Sequence, residues 1–139
     1  MKKAIISIGN PLKSDDNIAN LVLDKIKFNG MKIKAEISPE NFIRPVVDSR
    51  PGLLVFIDAV DWGARPGMVK LFAVEDTRTL APSTHNMPLD LLKKLFPETK
   101  ILVIGIQPKD LGPGTGLSPE LKRQFGRIVG RIEKVLSNY

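Results

Sequence analysis

Leu53-Leu54-Val55-Phe56-Ile57-Asp58 decides the fold. Five apolar residues in a row have no polar alternation, so both faces of this strand must be covered. That is the signature of an interior strand in a sheet with helices on each side. Asp58 closes the run with a carboxylate at the strand's C-terminal end. Beside a buried strand such a group demands compensation from its surroundings, because an isolated charge taken out of water is costly.

Strands and helices alternate outward from this centre. Towards the N-terminus, Ala4 to Ile8 is a short apolar strand closed by Gly9-Asn10-Pro11. Ser14 is expected to cap a helix whose buried face is Ile18, Leu21, Val22 and Ile26, stopped by Asn29-Gly30. Lys32 to Ile37 alternates as a half-exposed strand, and Ser38-Pro39-Glu40 signals a helix reaching Asp48. Towards the C-terminus, Met68 to Val74 is a fourth strand, and Pro66-Gly67 suggests an antiparallel hairpin with the third. Ser83-Thr84-His85-Asn86 caps a helix from Met87 to Phe96, and Ile101 to Ile106 is the last strand. A Gly/Pro-rich loop, Pro108 to Leu117, leads to a terminal helix capped by Ser118 with Pro119 next. The expected architecture is α/β: a three-layer α/β/α sandwich around a five-stranded, mainly parallel twisted sheet, formed by one domain over residues 1–139.

Composition narrows the chemistry. There are no cysteines among the 139 residues, which excludes disulfides, thiolate metal sites and a cysteine nucleophile. No apolar run is long enough to span a bilayer, and a cytoplasmic protein is expected. The net charge of +6 raises the question of nucleic acid. However, the basic residues are scattered, and Arg123, Arg127 and Arg131 repeat along one polar helix face opposite Leu121, Phe125, Ile128, Ile132 and Val135. One Trp and one Tyr make no stacking platform, so no nucleic-acid partner is expected, although a basic surface can steer an acidic protein.

In parallel sheets ligands bind beyond the carboxyl ends of the strands. Asp15 and Asp16 follow the first strand, Asp58 and Asp61 the third, and the sole histidine, His85, precedes the helix after the fourth. Asp15 reads as a complement to the helix dipole, leaving Asp16 open for another task. His85 is either a satisfied structural residue or a ligand, and Asp16, Asp58 and His85 together would suit a metal. Lys13-Ser14 offers a rival reading as a phosphate loop in a nucleotide-binding domain. Against it, Leu12 stands where a Walker loop needs glycine, and two acids crowd the helix start.

These motifs resemble those of the endopeptidases that mature the large subunit of [NiFe] hydrogenases. Gly9-Asn10-Pro11-Leu12 with Asp15-Asp16, Ile57-Asp58-Ala59-Val60-Asp61 with Pro66-Gly67, and Gly105-Ile106-Gln107-Pro108 are similar to family segments. Thr84-His85-Asn86-Met87-Pro88-Leu89 and Pro39-Glu40-Asn41 resemble the formate-hydrogenlyase (hydrogenase 3) branch. The resemblance covers residues 4 to 110. It implies a protease that cuts a C-terminal extension from the nickel-loaded precursor of a large subunit; a monomer is expected. Asp16, Asp58 and His85 would then be both metal and catalytic residues, with nickel carried by the substrate and no tightly held metal of the chain's own. Asp61 is expected to cap its turn, or less simply to orient a ligand, and Gln107 to offer its amide to the substrate backbone. A non-catalytic checkpoint protein that binds the nickel-loaded precursor is the alternative.

Overall fold

The structure is a computed structural model and describes residues 1–38, 41–77 and 89–139. The strands are β1 (Lys3–Ile8), β2 (Met31–Glu36), β3 (Leu53–Ala59), β4 (Val69–Ala73) and β5 (Lys100–Ile106). The helices are α1 (Ile18–Leu23), α2 (Ile43–Ser49), α3 (Leu89–Leu95) and α4 (Pro119–Leu136). The sheet order is β2-β1-β3-β5-β4, with every pairing parallel except β4 with β5. This is the expected three-layer α/β/α arrangement.

All seven residues of β3 are buried, as its unbroken apolar run requires. Its alternate residues feed two cores. Leu53, Val55 and Ile57 pack with Ile5, Ile104 and Ile106 under Ile18 and Val22 of α1 and Leu121, Ile128 and Ile132 of α4. Leu54 and Phe56 pack with Ala4, Ile6 and Val103 under Val46 of α2 and Leu92 of α3. The period-two alternation of a strand and the helical stripe of α4 thus meet on one face. Ser118 caps α4 as expected, its Oγ accepting the Leu121 N–H at 3.4 Å, with Pro119 in the first turn.

Two expectations need correction. First, β4 is antiparallel but is no hairpin partner of β3, because both edges of β3 are taken by β1 and β5. The connection instead crosses the end of β5. The Val60 N–H donates to the Ile106 carbonyl at 3.1 Å, the Gly67 N–H to the Gln107 carbonyl at 2.8 Å, and the Gln107 N–H to the Met68 carbonyl at 2.8 Å. Second, Ser14 does not cap α1. It opens a 3-10 turn, Ser14–Asn17, with a left-handed φ of 45°, and α1 starts only at Ile18. The expected helix start at Ser38-Pro39-Glu40 falls on Pro39 and Glu40, which lie outside the described residues, and α2 is described from Ile43. The expected start of the following helix at Met87 also lies outside them, and α3 is described from Leu89.

Candidate active site

Asp16 and Asp58 stand at the C-terminal ends of neighbouring parallel strands. β1 and β3 are paired through Ser7 and Ile57, and the turn holding Asp16 touches β3. Both side chains are buried, Asp58 completely and Asp16 to 6% exposure. His85 lies outside the described residues, as does all of 78–88. Among the described residues no cluster of three or more His, Asp or Glu is placed to hold a metal.

The Asp16 turn is tightly built. Asp16 Oδ2 accepts the Asn10 N–H at 2.8 Å, and the Asp16 N–H donates to the Lys13 carbonyl at 2.9 Å. Gly9 lies so close to this turn that a Cβ there would come within 2.0 Å of the Asp16 carbonyl oxygen. Buried Asn20 secures the approach: its Nδ2 donates to the Gly9 carbonyl at 2.9 Å and to Asn17 Oδ1 at 2.8 Å, while its Oδ1 accepts from Ser7 Oγ at 2.8 Å. The sequence reading overlooked Asn20, although a polar residue between Ala19 and Leu21 on an otherwise apolar helix was the available signal. On the other side the Gly9 N–H donates to the Glu36 carbonyl at 2.8 Å. Glu36 has a φ of 55°, and the β1–β2 register slips between Ser7 and Ile8. A register slip in the β1–β2 pairing and two left-handed non-glycine residues, Ser14 and Glu36, therefore flank the Asp16 turn. Such strain persists only where surrounding bonds over-determine the backbone.

This geometry removes the phosphate-loop alternative. An anion cradle needs outward-facing amides. Here the N–H groups of Asn10, Leu12, Lys13, Ser14, Asp15 and Asp16 all donate to acceptors within the protein, and Pro11 has none. Asp15 is likewise more than a dipole complement. Its fully buried carboxylate takes the amides of Lys109, Asp110 and Ser118.

The buried Gln107 amide is bonded within the protein. Its Oε1 accepts the N–H groups of Trp62 at 2.9 Å and Ala64 at 3.2 Å. Its Nε2 donates to Asp61 Oδ1 at 2.9 Å and the Pro108 carbonyl at 3.3 Å. The amide is thus committed to holding the loop after β3. Asp61 plays the expected turn role, its Oδ1 also accepting the Gly63 N–H at 3.1 Å. The Gln107 hydrogen bond, with that of Gly63, holds the Asp61 carboxyl below its ordinary value of 3.8, against the opposing effect of burial. A lowered native pKa favours folding above the unfolded value, and this contribution disappears as pH falls through the native one. Asp61→Asn is therefore expected to be less stable than the parent between about pH 5 and 7, the gap closing below 3.8. Chemical unfolding across that range checks it.

A cavity of about 440 Å³ lies between Val47, Arg50, Phe96 and Thr99, at the strands' opposite ends, near the start of β3 and β5. It contains none of the candidate residues. The acid-bearing rim is the opposite one, at the strand C-terminal ends, where this architecture gathers loops from separate elements.

Fold and rim together define an α/β/α protein with two buried carboxylates at one rim of its sheet, Asp58 at the end of β3 and Asp16 on the turn after β1. The chain belongs to the hydrogenase maturation protease family, whose model matches residues 21–135, a span that includes Asp58 and His85 but starts beyond Asp16. It is a hydrolase of the endopeptidase kind. The Hydrogenase 3 maturation protease of Escherichia coli K12 is 29% identical over 140 residues, covering 96% of this chain and 90% of that protein. The solution structure of the endopeptidase HycI from Escherichia coli superimposes with a TM-score of 0.79 at 28% identity, covering 96% of this chain and 90% of that one. The crystal structure of a [NiFe] hydrogenase maturation protease HycI from Thermococcus kodakarensis KOD1 gives 0.76 at 26% identity, covering 98% and 92%. No helix among the described residues is long and apolar enough to cross a membrane.

Proposed function

We propose that this chain, as one cytoplasmic domain, removes the C-terminal extension from the precursor of a [NiFe]-hydrogenase large subunit, and that Asp16, Asp58 and His85 recognise the nickel which that precursor carries. The observation that carries the reading is the pair of buried carboxylates, Asp16 and Asp58, at the ends of adjacent strands in a member of this protease family. Carboxylate oxygen and imidazole nitrogen are suitable ligands for a first-row divalent metal. A chain without cysteine also offers no thiolate to do the peptide chemistry.

In this reading nickel is part of the substrate. Asp16 and Asp58 would receive it from the sheet side and His85 from the third loop, setting the scissile peptide beside a centre able to polarise its carbonyl. Burial of both carboxylates keeps water from competing for them and strengthens their attraction for a cation.

The test is incubation of the purified protein with nickel-loaded precursor and no other component, followed by mass spectrometry. Loss of the C-terminal extension is expected. A stable complex with a precursor of unchanged mass would instead make the chain a non-catalytic checkpoint that binds the loaded precursor.

A further inference from the structure

We infer that Asp15 is a positioning residue, whose carboxylate locks the segment after β5, residues 109–118, onto the turn that presents Asp16. The segment becomes a fixed wall beside Asp16, and the turn is held from its inner side. The consequence for cleavage rests on the proposed function, whereas the lock itself does not.

The lock is built on both sides of Asp15. Its Oδ2 accepts the N–H groups of Lys109 and Asp110, each at 2.9 Å, and its Oδ1 accepts that of Ser118 at 2.7 Å. One carboxylate therefore joins the two ends of a Gly/Pro-rich loop. The main chain answers in kind, the Asp15 N–H donating to the Asp110 carbonyl at 2.9 Å. Midway along the loop, the Ser14 N–H donates to the Gly114 carbonyl at 3.0 Å and the Gly114 N–H to the Leu12 carbonyl at 2.9 Å. A Cβ on Gly114 would meet Ser14 Oγ at 2.8 Å, so the two segments are also in close contact.

A dipole complement would not require this arrangement. The 3-10 turn is only four residues long, and both oxygens of Asp15 are spent on the other segment. Bonds to an ionised acceptor are about twice as strong as neutral ones. Together they hold Ser14 at its φ of 45°, a conformation that non-glycine residues disfavour. Asp16 is the second residue after that strained one. Releasing the Asp15 carboxylate should relax Ser14 and move Asp16 with it.

The experiment compares Asp15→Asn and Asp15→Ala with Ile132→Ala, a destabilised control in the α4 core remote from the rim. Residue-resolved amide hydrogen exchange of the free protein is measured alongside kcat and KM for nickel-loaded precursor, at a temperature where each variant is folded. In the Asp15 variants exchange should rise at least ~10-fold at Lys109, Asp110 and Ser118 and also at Ser14 and Asp16, a pattern absent from Ile132→Ala. Their kcat/KM should fall about 10- to 100-fold, while Ile132→Ala stays near the parent. The milder Asp15→Asn, in which one oxygen becomes a donor, serves if Asp15→Ala does not fold. Faster exchange confined to 109, 110 and 118 would overturn the lock, and parental cleavage by a folded Asp15 variant would overturn its positioning role. A parent that fails to cleave would instead refute the proposed function, with the exchange pattern still deciding the lock.

Discussion

Gly9→Ala is expected to destabilise the protein by about 3 kcal/mol and to lower precursor cleavage at least ~100-fold. A Cβ at residue 9 would lie 2.0 Å from the Asp16 carbonyl oxygen, and backbone rather than a flexible side chain is in the way. Gly9 itself cannot retreat easily. Its N–H is bonded to Glu36 on one side and its carbonyl to Asn20 on the other. The strain must be relieved by displacing the Asp16 turn, so a stability defect and a cleavage defect should appear together. Thermal unfolding and single-turnover cleavage measured on the same preparation check this. A folded Gly9→Ala protein with parental cleavage would show that the place of Asp16 does not matter.

Gln107→Leu is the second large effect. The change keeps the side chain's bulk but leaves the amides of Trp62 and Ala64 without their acceptor and removes one of the two donors to Asp61 Oδ1. A loss of about 3 kcal/mol follows from the cost of stranding such groups. Denaturant unfolding should show a lower midpoint with an unchanged slope. A raised KM with unchanged stability would point instead to the substrate contact that the sequence alone suggested. The same variant should return the Asp61 carboxyl towards its ordinary value, since the Gln107 bond is the main cause of its lowering.

Much of this architecture was legible in residues alone. The apolar run of β3 required a two-sided core, and the stripe on α4 supplied half of it. Ser118-Pro119 marked the start of α4 to the residue. What could not be read was where β4 pairs, because a short Pro-Gly loop is compatible both with a hairpin and with a crossing over β5. The decision lies in long-range bonds between Gly67, Met68 and Gln107. The rim was half legible. A carboxylate at the end of a buried strand announced Asp58, and two adjacent acids hinted that one was spare. Which acid does what depends on Lys109, Asp110 and Ser118, about a hundred residues away and joined to Asp15 through main-chain amides that carry no residue-type signal. Ser14 looked like a helix cap, yet its left-handed backbone makes it the strained hinge of the turn.

The claim that Asp16, Asp58 and His85 form one site is tested most directly by cleavage of nickel-loaded precursor with Asp16→Ala, Asp58→Ala and His85→Ala proteins. Asp58→Asn, which preserves the volume of a fully buried residue, is included for the case in which Asp58→Ala does not fold. Each folded variant is expected to be slowed at least ~100-fold, since even groups that only orient metal ligands cost 10- to 100-fold when removed. Parental activity in any one of them would contradict its place in the site.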